Sequence, residues 1–323
     1  MQIKILMQRL WNISHRSSSN ETKIELKRKL DFFASGRLKV SDFQNALQVG
    51  PQRTIEIGKD HVYISLSSTN SKYLWTTSDP RTATACLVVT GEYEPLETEI
   101  LKFFASGAKL VADIGANVGY YAVELGKALS EDGRLLAFEP IPDSFEQLSE
   151  NVRLNALEKN VACLQLAISN QEGQLTLFTP KISGSSATSA RNLHPEEDFT
   201  KQEVSVRTLD LVFESLMIEE CDLIKVDVEG AELMVIQGAL QTIEKYKPVI
   251  FAELLRKWSA QFDYAPDDVL SILLPLGYKC FAVSENFPEI SRIDAETVET
   301  NFVFVPENKL ASFQYFLRSN HGV

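Results

Sequence analysis

Cysteine is scarce in this chain, and its spacing excludes two classes at once. Four cysteines in 323 residues, none set as Cys-x-x-Cys, provide neither a zinc cage nor a disulfide framework. Cys86, Cys163, Cys221 and Cys280 read instead as reduced, mostly buried thiols of a cytoplasmic protein. No apolar run reaches the roughly 20 residues of a membrane span. Residues 1–13 set Lys4 and Arg9 among their apolar side chains and end in no small-residue cleavage site, so a signal peptide is not expected. Excess positive charge is missing too. With 32 basic against 44 acidic residues the net charge is −12, which removes sequence-independent attraction to nucleic acid or an anionic membrane. What is present is a chain 44% hydrophobic and 24% charged. That suits a globular protein with a sizeable core, as one large domain or two modest ones.

The chain has two textures. Residues 1–50 read as helical, with Ile24, Leu26, Leu30, Phe33 and Leu38 set among charges, and residues 53–67 alternate as a hairpin around Gly58-Lys59-Asp60. Residues 1–85 therefore form an accessory helical and hairpin region with no readable chemistry, either an oligomer contact or a lid. Residues 86–323 form the main domain. Apolar strands at 110–113, 135–139, 161–168, 222–228 and 249–253 are separated by helices, which predicts an α/β fold with a doubly wound, mostly parallel sheet. Tyr278 to Val283 and Phe302 to Val305 have no clear helix between them and should pair antiparallel at one edge. Leu233, Ile236, Leu240 and Ile243 mark one amphipathic helix. An insertion at about 174–206 contains a polar stretch, 179–202, too polar to pack and long for a structureless loop, so it is mobile or functional. Sheets of this kind bind ligands beyond the carboxyl ends of their strands, and four strands end in acids: Asp113, Glu139, Asp227 and Glu253.

The stretch Leu110-Val-Ala-Asp113-Ile-Gly115-Ala116-Asn117-Val-Gly119-Tyr120-Tyr121 reads as buried strand, glycine turn and helix start. A dinucleotide fingerprint would need glycines at 113, 115 and 118, and the chain has Asp113 and Val118 there. An acid at the first position repels a pyrophosphate and suits a cationic ligand. Asp113-x-Gly115-x-x-x-Gly119 resembles the first motif of S-adenosylmethionine-dependent methyltransferases. On that reading Asp113 reaches the ligand's amino group, directly or through water. Asn117 and the backbone of Gly115, Ala116, Gly119 and Tyr120 hold the methionine end. Glu139, with Pro140 after it, accepts from the ribose hydroxyls, and Ala167 and Ile168 wall the adenine at the end of the third strand.

These pieces join a wider set: Phe138-Glu139-Pro140-Ile-Pro142 followed by Asn151 and Asn155, Thr208-Leu209-Asp210, and Ile224-Lys225-Val-Asp227-Val-Glu229-Gly230-Ala-Glu232. With Gly91-Glu-Tyr93-Glu94 before the first strand, which adds Tyr93 to the donor side, the chain resembles the FkbM-type methyltransferase family over roughly residues 90–255. The resemblance implies the class I, Rossmann-like seven-stranded methyltransferase fold with S-adenosylmethionine as donor. Many members are O-methyltransferases acting on sugars or secondary metabolites, which implies a small hydroxylated acceptor and a place in natural-product biosynthesis. It does not extend to the first 85 residues, which leaves self-association through that region open.

A hydroxyl needs a base or a metal to remove its proton. Asp227 and Glu229 are the nearest candidates, Glu253 the next, and His194 serves if its loop folds over the site, with Ser185 and Ser186 of that loop lining the acceptor pocket. Asp227 and Glu253 also sit where some class I enzymes bind Mg²⁺, but Leu254 and Leu255 follow Glu253 in place of a third ligand, so metal-free action is the default. Lys225 reads as the partner of a buried acid, and Glu232 as an acid favoured on a first helical turn. The alternatives are a nitrogen or carbon acceptor, a silent adenosyl-binding module and, for the fold alone, a nicotinamide dehydrogenase.

Overall fold

A computed structural model describes residues 53–57, 62–75, 82–180, 188–191 and 199–320. The helical reading of residues 1–50, the turn at Gly58-Lys59-Asp60, and His194, Ser185 and Ser186 lie outside the described residues. The chain divides into two compact units between Tyr93 and Glu94, which leaves Tyr93 as the last residue of the first.

In the first unit, β1 (Arg53–Ile57), β2 (Val62–Leu66) and β3 (Ser71–Trp75) form an antiparallel sheet in that order, followed by α1 (Ala83–Thr90). The third strand is absent from the sequence expectation. It forms because Asn70 takes a left-handed φ of 51°, which reverses the chain so that Ser71 and Tyr73 alternate inward.

The second unit runs α2 (Pro95–Ser106), β4 (Leu110–Ile114), α3 (Tyr120–Ala128), β5 (Arg134–Phe138), α4 (Pro142–Leu154), β6 (Val161–Leu164), β7 (Ala167–Ile168), β8 (Gly173–Pro180) and β9 (Phe199–Arg207). It continues with α5 (Leu209–Ser215), β10 (Leu223–Val226), α6 (Glu232–Gln237), α7 (Leu240–Tyr246), β11 (Val249–Glu253) and α8 (Arg256–Ser259). Last come α9 (Pro266–Leu273), β12 (Tyr278–Ala282), β13 (Glu289–Ile290), β14 (Asn301–Pro306) and α10 (Leu310–Asn320). The main sheet is ordered β13-β12-β14-β11-β10-β4-β5-β6. Its stretch from β11 to β6 is parallel, and β14 lies antiparallel between β11 and β12. The parallel doubly wound core and the antiparallel pair are as the sequence predicts. The described sheet has eight strands where seven were expected, because the two-residue β13 adds to the edge.

Three expectations are corrected. The third strand ends at Leu164. Ala167 and Ile168 pair with β9 in a separate sheet ordered β7-β9-β8, so they do not end a main-sheet strand. The polar stretch 179–202 is strand at both its ends: β8 and β9 pair along their length from Gly173↔Val206 to Pro180↔Phe199. The single helix through Leu233 and Ile243 is two helices. Gly238 lies between them, where a β-carbon would come within 2.0 Å of the Ser169 carbonyl oxygen. Asp210 then caps the second helix, its carboxylate accepting from Gln241 N at 3.0 Å and Thr242 N at 2.8 Å.

Strand alternation places the chemistry. Leu110, Ala112 and Ile114 of β4 join Ile224 and Val226 of β10 in one hydrophobic cluster. The intervening positions, Asp113 and Lys225, therefore share the opposite face, and they stand directly across from each other in the register.

Candidate active site

The chain passes from β4 outward to β5 and β6, then returns to β10 and β11 on the other side. The switch point lies between β4 and β10, where open α/β sheets bind ligands. The four strand-end acids stand in a row along this edge in the order Glu253, Asp227, Asp113, Glu139.

The loop after β4 is shaped by three left-handed residues: Gly115 at φ 80°, Asn117 at 49° and Gly119 at 86°. A β-carbon on Gly115 would stand 1.8 Å from the Asp227 carbonyl oxygen, and one on Gly119 would stand 2.7 Å from Leu148 Cδ1. Gly115 is thus required by close approach as well as by φ, and Gly119 by φ. The loop's amides are used within the fold. Gly115 N and Ala116 N donate to the Phe138 carbonyl at 3.0 and 2.9 Å, and Gly119 N donates to the Ala116 carbonyl at 2.8 Å. Asn117 N donates to Glu139 Oε2 at 2.9 Å. Such a loop does not present those donors to a pyrophosphate, unlike a phosphate-binding nest. Asn151 donates to the Val118 carbonyl at 2.7 Å, and Asn155 to the Asn151 carbonyl at 2.7 Å, tying α4 under the turn.

Glu139 is buried, and its Oε1 accepts from Ile141 N at 2.9 Å. Burial raises its pKa to about 7 against the help of those two amides. Each oxygen keeps a second lone pair for a hydroxyl donor. Asp113 is 0% exposed and neither oxygen has a hydrogen-bond partner. It faces Lys225, whose Nζ lies 3.4 Å from Asp113 Oδ1 and 3.4 Å from Asp227 Oδ2, and donates to the Gly115 carbonyl at 3.1 Å. Burial raises the Asp113 pKa, and Lys225 opposes it. Burial alone would lower the pKa of Lys225, and the carboxylates of Asp113, Asp227 and Glu94 outweigh it and raise it. The Lys225 ammonium also sits 5.2 Å from the Tyr121 ring centroid, and the Tyr121 hydroxyl donates to Glu94 Oε2 at 2.7 Å. Tyr120 is buried, with its hydroxyl 3.2 Å from Thr98 Oγ1.

The turn after β10 is clamped from several sides. Glu232 is buried, and its Oε1 accepts from Val228 N at 3.2 Å and Gly230 N at 3.0 Å. Its Oε2 accepts from the Tyr264 hydroxyl at 3.0 Å. Burial raises the Glu232 pKa to about 7. Glu229 itself is left-handed, at φ 53°, and its carbonyl accepts from the buried Ser189 hydroxyl at 2.8 Å. Gly230 is covered by Trp258 and Phe262, whose atoms would stand 3.0 and 2.9 Å from a β-carbon there. The described part of the insertion thus reaches the turn: Ser189 is bridged to Phe178 of β8, and the Arg191 guanidinium lies 5.7 Å from the Phe262 ring centroid.

The structure brings Asp113, Glu139 and Asp227 together with Lys225 at one end of the sheet, with Glu253 at the next strand end. Asp227 is open, its side chain 30% exposed, while Asp113 faces Lys225 instead of solvent. Ala167 and Ile168 are buried in the neighbouring small sheet. Ser189, Trp258, Phe262 and Tyr264 have no signal in the sequence, because the segments that carry them meet the turn only in three dimensions. Among the described residues no three His, Cys, Asp or Glu gather as a metal site, and no helix is long and apolar enough to cross a membrane.

Residues 113–280, just over half of the chain, match the methyltransferase FkbM domain family. The chain belongs to this family. The chain is 31% identical over 159 residues to the methyltransferase sdnD of Sordaria araneosa, covering 40% of this chain and 59% of that one. It is 30% identical over 140 residues to the hexuronic acid methyltransferase AglP of Haloferax volcanii, covering 43% and 53%. The chain thus spans somewhat over half the length of these curated relatives. A solved methyltransferase FkbM from Methylobacillus flagellatus superposes at a TM-score of 0.42 and 18% identity, over 69% of this chain and 52% of that one.

Proposed function

We propose that this chain is an S-adenosylmethionine-dependent methyltransferase acting on a hydroxyl of a small molecule, a sugar or a secondary metabolite. The observation that carries the reading is the switch-point loop. Four of its amides are bonded within the fold, and it is flanked by carboxylates, so the crevice suits a cationic adenosyl ligand and not a dinucleotide. The same chemistry fits the donor. Glu139 accepts from ribose hydroxyls with its free lone pairs, and Asn117 and the backbone of Gly115 take the methionine end. Asp113, sealed behind Lys225, acts on the ligand's charge. The AglP name, a hexuronic acid methyltransferase, favours a sugar-like acceptor.

S-adenosylmethionine, when bound, supplies a methyl group on a sulfonium open to in-line attack. The chain's residues orient the acceptor and take its proton. Asp227 and Glu229 are assigned the role of base, since Asp227 opens to solvent and Glu229 is fixed by Ser189 and Glu232. Glu253 supports them from the next strand. A Mg²⁺ held by Asp227 and Glu253 is the second reading, favoured only by the adjacency of β10 and β11. The first unit serves self-association.

The test is mass spectrometry after incubation with S-adenosylmethionine and a panel of hydroxylated metabolites, with and without chelator. A methyl gain on an acceptor hydroxyl, lost in Glu229→Gln with donor binding kept and lost in Asp227→Asn even at saturating donor, is expected. Failure of the wild-type chain to bind S-adenosylmethionine in calorimetry overturns the proposal.

A further inference from the structure

Lys225 is a buried cation outnumbered by acids. Its ammonium has Asp113 and Asp227 at 3.4 Å each. Glu94 accepts from the hydroxyl of Tyr121, whose ring centroid lies 5.2 Å from the ammonium. The ammonium also donates to the Gly115 carbonyl, at 3.1 Å. One positive charge therefore does two jobs. It fixes the backbone of the switch-point loop, and it cancels part of a carboxylate cluster without neutralising it. The open member of the cluster is Asp227, and its backbone carbonyl is the atom against which Gly115 packs. The uncancelled charge thus lies where the loops after β4 and β10 meet.

We propose that the Asp113–Lys225–Asp227 cluster reads the charge of the adenosyl ligand, with Lys225 as the residue that positions the loop and Asp227 as the one that discriminates. This rests on the methyltransferase reading above. A methyl donor of the sulfonium type carries one more positive charge than the thioether left after transfer. The excess negative charge at the switch point therefore holds the donor and loosens the product. A unit charge a few ångströms away in a medium of intermediate polarity is worth about tenfold or more in affinity, so the effect is within the reach of titration.

The two roles separate by mutation. Asp227→Asn keeps the shape and removes one negative charge. It should weaken S-adenosylmethionine and sinefungin, which bears an ammonium in place of the methylsulfonium, by about tenfold and leave S-adenosylhomocysteine within about twofold. Lys225→Met frees the Gly115 carbonyl and should weaken all three ligands together. Isothermal titration with these three probes, on the full chain and alongside melting curves, makes the comparison without any acceptor. If Asp227→Asn weakens all three ligands equally, or none, the charge-reading proposal is wrong. If Lys225→Met leaves all three unchanged, its positioning role is wrong. Should either variant fail to fold, the wild type decides: it must bind sinefungin more tightly than S-adenosylhomocysteine, and equal affinity overturns the proposal. A wild type that binds none of the three refutes the methyltransferase reading instead.

Discussion

Gly115→Ala tests the central claim about the switch-point loop, and Gly277→Ala supplies its control. The two glycines have almost the same conformation, φ 80° and 83°. At Gly277 a β-carbon meets nothing within 4 Å, while at Gly115 it stands 1.8 Å from the Asp227 carbonyl oxygen. Left-handed strain costs each alanine about 1 kcal/mol. At Gly115 the strand ends must also part, by more than 1 Å if the contact is to reach about 3 Å. The Asp227 N to Ile114 carbonyl bond, now 3.1 Å, crosses that gap and would be lost, at about 1–3 kcal/mol for a buried pair. Loosened packing at the end of β4 and β10 adds a similar amount. The expected loss is about 4 kcal/mol for Gly115→Ala against about 1 kcal/mol for Gly277→Ala. In a unit of this size that is roughly 10 °C against 3 °C in melting temperature. Urea titration and thermal melting of the three proteins measure both, and calorimetry should show at least a tenfold loss of S-adenosylmethionine affinity for Gly115→Ala alone. Equal losses in the two variants would show that the approach of the two loops is not tight, and the reasoning about the site would fail with it.

Further outcomes follow from the same geometry. Glu139 has a folded pKa raised by burial to about 7, so the folded state holds its proton more firmly than the unfolded chain. Its penalty is absent below the ordinary carboxyl range and grows as the pH rises towards 7. Relative to wild type, Glu139→Gln should therefore gain up to about 3 kcal/mol between pH 4.5 and 8; a pH-independent difference in urea titrations would contradict it. Asp210→Ala removes both caps of α7 and should cost about 1–2 kcal/mol, read as a melting shift of roughly 5 °C; an unchanged melting temperature would mean the caps are not used. Ser189→Ala breaks the bond to the Glu229 carbonyl and should lower kcat on any acceptor found by the metabolite panel while leaving donor affinity intact, whereas Ser189→Thr restores the rate; loss of donor affinity in Ser189→Ala would place Ser189 on the wrong side of the site.

The sequence by itself determined the parallel sheet, the acids at its carboxyl edge and the loop from Asp113 to Gly119. Each of these is local: an apolar run, a strand-end acid, a glycine whose φ the turn demands. The Thr208-Leu209-Asp210 motif was visible in the sequence as well, but its use was not. Its hydroxyl caps α5 by accepting from Leu211 N, and its carboxylate caps α7 from 31 residues away. The errors have the same origin. Val161 to Ile168 reads as one strand because both halves are apolar, and only the pairing of Ala167 with Val206 shows that the second half serves another sheet. The ends of the polar stretch read as loop because the buried face of this hairpin is short: Leu177, Val204 and Val206 pack inward, while Thr179, Thr200 and Lys201 are held by cross-strand pairing. Tertiary structure alone decided that Asp113 is shut behind Lys225 while Asp227 stays open, since that follows from strand register and helix packing. It alone brought Ser189, Trp258, Phe262 and Tyr264 onto the Glu229 turn, because contacts between segments about 30 to 40 residues apart leave no spacing for a sequence to display.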